Sequence, residues 1–111
     1  MWIFTETGFV SAVRHYEEQD KLVVRARDKK SLQSLATTAN LEIISTPLND
    51  YPYRVQVADS VFAAWLSKQT MGVDYTNFKD RVHETRGHHF ADTLLSVWSA
   101  MHQVEEKGLD N

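Results

Sequence analysis

Two stretches, RARDKKSLQSLA at residues 25–36 and QVADSVFAAWLS at residues 56–67, decide the fold. Each runs from an alternating segment through an aspartate into apolar residues at helical spacing. These are Leu32, Leu35 and Ala36 in the first stretch, and Val61, Phe62, Trp65 and Leu66 in the second. Asp28 and either Asp59 or Ser60 are placed to cap those helices, because a short side-chain oxygen there accepts from the free N–H groups of the first turn.

Before each helix lie two β-type runs. Residues 9–14 and 21–27 precede the first, and residues 41–46 and 53–58 precede the second. Residues 2–5, joined to 9–14 through Glu6-Thr7-Gly8, open the chain as a hairpin, with glycine supplying the turn. Asn40 suits the left-handed end of the first helix and Gly72 the end of the second. Thr76 or Asn77 starts a short third helix carrying Phe78 and Val82. Gly87 separates it from a long one over 90–106, with Phe90, Leu94, Val97, Trp98 and Met101 on one stripe. Strand, strand, helix therefore occurs twice. The expected architecture is α+β: an antiparallel sheet with helices on one face, a ferredoxin-like ββαββα arrangement with C-terminal helices appended. A single domain over 1–107 and a flexible tail over 108–111 are expected.

With 111 residues, 42% hydrophobic and 24% charged, the chain has the composition of an ordinary globular protein large enough for one core. The formal charge of −3 opposes a long phosphate track and places nucleic acid behind other partners. There is no cysteine, so disulfides and thiolate metal sites are excluded, in keeping with a cytoplasmic location. MWIFTETGF has too short an apolar run for a leader, and no stretch reaches the ~20 apolar residues that a spanning helix needs. No membrane partner is expected.

The side chains that bear chemistry are cations and phenols on extended or turn segments: Arg25 and Arg27; Tyr51, Tyr53 and Arg54; Tyr75, Asn77 and Lys79. Strand alternation puts Arg25 and Arg27 on one face and Tyr51 with Tyr53, Val55 and Val57 on one face of the later strand. If those valines face the helices, Arg54 joins the other two arginines on the open side. Guanidinium forks beside phenols are the parts of a site for an anion or a planar ligand. An antiparallel sheet with a solvated, arginine-bearing face is the competing reading. Likewise, Asp74-Tyr75-Thr76-Asn77-Phe78-Lys79 enters a helix whose free N–H groups favour an anion, yet the same residues read equally well as a cap, a core phenylalanine and a solvated lysine.

The runs FTETGFVSAV, LVVRARDKK, NDYPYRVQV, VDYTNFKDRV and VWSAM resemble, over nearly the whole chain, a family of short proteins of bacteria and their phages. Asp50-Tyr51 with Tyr53-Arg54, and Asp74-Tyr75 with Asn77-Phe78-Lys79, are its most specific pieces. Thr76 stands where the family is expected to carry proline. The resemblance implies no mechanism and supports only these positions as candidates.

Histidines 83, 88, 89 and 102 gather with Glu84 and Asp92 in the last third, but without HExxH and with Gly87 interrupting them they make no expected metal site. There is no GxSxG, no Gly-rich phosphate loop and no HxE…CxxC pattern. No cofactor is expected, and binding is favoured over catalysis. The expected function is a small non-catalytic protein that recognises an anionic or nucleotide-like small molecule through Arg25, Arg27, Tyr51, Tyr53, Arg54, Tyr75, Asn77 and Lys79. The alternative is a module that acts on a host protein through exposed aromatics such as Trp2, Phe4, Tyr16 and Tyr53, or through a sheet edge, with a homodimer as a further arrangement.

Overall fold

A computed structural model describes residues 1–107, so the tail expected over 108–111 lies outside the described residues. The chain forms two compact units, Met1–Asp74 and a second that begins at Tyr75.

In the first unit, strands β1 (Trp2–Thr5), β2 (Gly8–Arg14) and β3 (Lys21–Ala26) lead into helix α1 (Lys30–Ala39). Strands β4 (Ile44–Ser45) and β5 (Tyr53–Ala58) then lead into helix α2 (Asp59–Met71). The five strands make one sheet in the order β1-β2-β3-β5-β4, and every neighbouring pair is antiparallel. The α+β class is observed. The strand order differs from the expected ferredoxin-like arrangement, because the N-terminal hairpin adds β1 as an outer strand and β2 lies beside β3 at that end.

The residues that alternate inward on the sheet are Val10 and Ala12, Val24 and Ala26, and Val55 and Val57. They meet Leu32, Leu35 and Ala36 of α1 and Phe62 and Trp65 of α2 in one core. Trp65 is only 1% exposed and satisfies its indole by donating Nε1–H to Ser34 Oγ at 3.0 Å. The start of α1 is held by Asp28, whose Oδ1 accepts from Ser31 N at 3.1 Å. Ser31 Oγ in turn accepts from Phe9 N, which ties the helix to β2. Asn40 takes the left-handed conformation (φ 55°) that ends α1. At α2, Ala58 is the boundary residue and Asp59 lies in the first turn, where its charge complements the helix dipole and pairs with Arg14 at 2.7 Å.

The segment over 41–46 reads as a six-residue strand, yet only Ile44–Ser45 pairs with β5. Leu41 N–H donates to Ala36 O at the end of α1, and Thr46 N–H donates to Pro52 O across the following turn. At the α1 end a local bond uses the Leu41 N–H, and at the other end Thr46 stands in register with Pro52, which has no N–H to carry the ladder further.

The second unit is an αα-hairpin of α3 (Phe78–Arg86) and α4 (His88–Lys107), joined at Gly87. That glycine has φ 91°, a conformation that side chains with a Cβ rarely adopt. Val82 and Ala91 are fully buried in the hairpin, and the Arg86 guanidinium lies 3.9 Å from the Phe90 ring centroid. Among the described residues no helix is long and apolar enough to cross a membrane.

Candidate functional site

Because α1 and α2 cover one face of the sheet, side chains of the other parity define the face we call open within this unit. Register fixes who stands beside whom: Ser11 opposes Arg25, and Arg25 opposes Arg54. Arg54 therefore does share the open face with Arg25, as alternation predicts once Val55 and Val57 face the helices.

Tyr51 does not follow the parity expected for it. The chain bends through Tyr51 and Pro52 before β5 begins at Tyr53, so alternation cannot be counted back across it. The Tyr51 ring lies against the open-face arginines, with the guanidinium carbons of Arg25 and Arg27 each 4.6 Å from its centroid. It is 6% exposed and touches Phe9 at 6.5 Å. Two cations on one phenol hold both guanidinium planes in place. Tyr53 takes the helix side, where it packs against the core with Lys29 5.9 Å from its ring.

The three guanidinium groups differ in how they are satisfied. Arg27, at the rim, donates through Nη1 to the Asp50 carbonyl at 2.9 Å and pairs with the Asp50 carboxylate at 3.3 Å. Arg25 donates through Nη2 to Ser11 Oγ at 2.9 Å, and its Nε is buried without an acceptor. Arg54 Nε is also buried without an acceptor. Neither Arg25 nor Arg54 meets a carboxylate among the described residues. Two partly buried arginines thus stand directly opposite each other in the register of β3 and β5, a like-charge arrangement that costs energy.

The open face continues into aromatics. Phe4 stacks on Phe9 with centroids 4.6 Å apart and planes at 19°, and Trp2 meets Phe9 edge-on at 5.6 Å. Nothing in the sequence motifs singled out Phe9 or Ser11; their place beside the arginines becomes visible only with the register. A shallow depression at the C-terminal end of α1, lined by Gln33, Thr37, Asn40, Leu41 and Glu42, does not involve the arginines.

Tyr75, Asn77 and Lys79 belong to the second unit. Asn77 is the cap of α3, accepting from Asp80 N at 3.0 Å. The Tyr75 ring sits 5.1 Å from the Arg81 guanidinium and 6.2 Å from Phe78. Lys79 is exposed. His83, His88 and His89 touch edge-on in succession, and His88 pairs with Asp92 at 3.1 Å. Among the described residues no three His, Asp or Glu side chains are grouped to hold a metal ion. No family model matches the chain, and neither a curated protein nor a solved structure matches it.

Proposed function

We propose that this chain is a small non-catalytic, cytoplasmic protein that binds an anionic or nucleotide-like ligand on the open face of its sheet. Arg25 and Arg54 supply the charge. Tyr51 fixes the guanidinium of Arg25, and Arg27 flanks it from the rim. The observation that carries this reading is the opposed Arg25 and Arg54 pair, each with a buried Nε that lacks an acceptor and neither neutralised by a carboxylate. Tyr53, Tyr75, Asn77 and Lys79 are candidates of lower rank, because Tyr53 packs on the helix side and Asn77 is engaged as a cap.

Thermal unfolding with phosphate, pyrophosphate and nucleotides tests it. A ligand at 100 times its Kd stabilises the folded state by about 2.7 kcal/mol, a shift of several degrees for a chain of this size. The shift is expected in the native sequence and absent in Arg54→Met and Arg25→Gln. Equal shifts in all three proteins contradict the proposal.

One observation favours a second reading, a protein-interaction module of the kind a phage protein would turn on a host factor. Along α4, Val97, Trp98, Met101 and Val104 share one side of the helix and are all exposed, Trp98 to 63%. Such a stripe suits a helix-binding partner or a second copy of the chain. Light scattering and a pull-down with Met101→Glu as control test that reading. As to ancestry of the fold, we infer that β2 to α2 is a rearranged ferredoxin-like unit, since β5 lies between β3 and β4 as in a split βαβ motif.

A further inference from the structure

The strand registers align one residue from each strand in a row across the open face: Trp2, Ser11, Arg25, Arg54 and Ile44. Neighbouring strands lie about 4.8 Å apart, so Trp2 stands roughly 10 Å from Arg25 along this row. Ser11, the smallest member and 1% exposed, is the floor between a large ring and a pair of cations. Its hydroxyl accepts from Arg25 Nη2, which draws that guanidinium over β2, toward the indole side. Trp2 is 69% exposed, although Phe9 supports it edge-on at 5.6 Å. An indole that is braced on one side and open on the other is a platform for a planar ring.

Resting on the anion-binding reading above, we infer that the ligand is a nucleoside monophosphate unit, with its phosphate between Arg25 and Arg54 and its base on Trp2. A phosphate monoester carries close to two negative charges near neutral pH and so matches the two guanidinium groups that lack carboxylates. A ribose bridges the floor between them. Charge limits the ligand to one such unit. Met1–Asp74 holds eight lysines and arginines against nine aspartates and glutamates, so no basic track extends from the arginine pair to guide a longer strand.

Isothermal titration of the full chain with AMP, UMP, ribose 5-phosphate, inorganic phosphate, adenosine and an eight-nucleotide oligothymidylate tests this. AMP and UMP are expected to bind at least about tenfold more tightly than ribose 5-phosphate, the factor that one base stacked on an aromatic ring supplies. In Trp2→Ala that advantage is expected to fall below about threefold, while ribose 5-phosphate binds as before. Trp2→Leu, which keeps apolar cover over Phe9 but removes the indole, is expected to behave the same and guards against loss of the hairpin. Equal affinity for AMP and ribose 5-phosphate, or an advantage untouched in both Trp2 variants, overturns the base platform and leaves the anion site standing. Failure of every phosphate to bind removes the anion site and this inference with it. An oligonucleotide that binds far more tightly than AMP, with steep loss in salt, overturns the single-unit ligand in favour of a nucleic-acid strand.

Discussion

Replacing Arg54 by methionine is expected to make the unliganded protein more stable while abolishing anion binding. Arg54 stands directly across from Arg25 in the β3/β5 register, and like charges in that position oppose each other by a few tenths to about 1 kcal/mol. Its Nε is buried without an acceptor, a loss of about 1–3 kcal/mol relative to a satisfied donor. Methionine keeps an unbranched stem over the same surface and carries neither liability. Solvent screening of the partly exposed guanidinium and some lost packing reduce the gain, so about 1 kcal/mol is the expected net effect, or about 4 °C. Urea unfolding followed through the fluorescence of Trp65, which is buried in the core of the same unit, measures it. Arg25→Met is the contrast. It uncovers one side of Tyr51 and leaves Ser11 Oγ without its donor, so it is expected to lower stability by about 1 kcal/mol. If Arg54→Met instead costs 1 kcal/mol or more, Arg54 is a structural residue and the strained-pair reasoning is wrong.

Asp50→Asn frees the Arg27 guanidinium from its ion pair and is expected to tighten anion binding severalfold with under about 1 kcal/mol change in stability, since that pair is largely exposed; titration calorimetry and urea unfolding check the two halves. Trp65→Phe removes the donor to Ser34 and shrinks a fully buried side chain, so urea unfolding is expected to show a loss of about 2 kcal/mol. Gly87→Ala meets no atom within 4 Å, yet φ 91° makes it cost about 1 kcal/mol or more, seen as faster amide exchange across α3 and α4. Asn77→Ala is expected to remove about 1 kcal/mol from α3 by loss of its cap, with Asn77→Asp retaining it, again by amide exchange.

Much of this molecule is legible from alternation and helix-end chemistry, because both are local. Asp28, Asn77 and Gly87 act where their side chains or backbone freedom place them. The open-face position of Arg54 also follows from period two, given a strand whose valines face a core. Tyr51 is misread for the same reason that Arg54 is read correctly. Parity holds only along an unbroken strand, and the turn closed by Thr46 N–H to Pro52 O and by Thr46 Oγ to Tyr51 O resets it. The stripe on α4 shows a different limit. Period 3.6 says that Val97, Trp98 and Met101 share a side of the helix, but these side chains are exposed, because a period carries no information on what covers a face. Sheet order is equally absent from local pattern, and with it the meeting of Ser11 and Phe9 with the arginines.

The competing view of the open face, a solvated sheet surface that happens to carry arginine, makes its own demand on the side chains. Arginines that serve only as a polar coat extend their heads into water and satisfy all donors there. Arg27 comes near that description, with Asp50 as a rim partner. Arg25 and Arg54 do not, since both Nε atoms are shut away from solvent without an acceptor and a 6%-exposed phenol lies under the Arg25 guanidinium. Holding two like charges opposite each other on a sheet with a partly dry lining opposes folding, and the hydrogen bond from Arg25 to Ser11 offsets only part of that. An anion bridging the pair would relieve the repulsion and supply acceptors to guanidinium edges turned toward it. The binding reading therefore accounts for the energetic cost of this arrangement, whereas the solvated-coat reading leaves it without a cause.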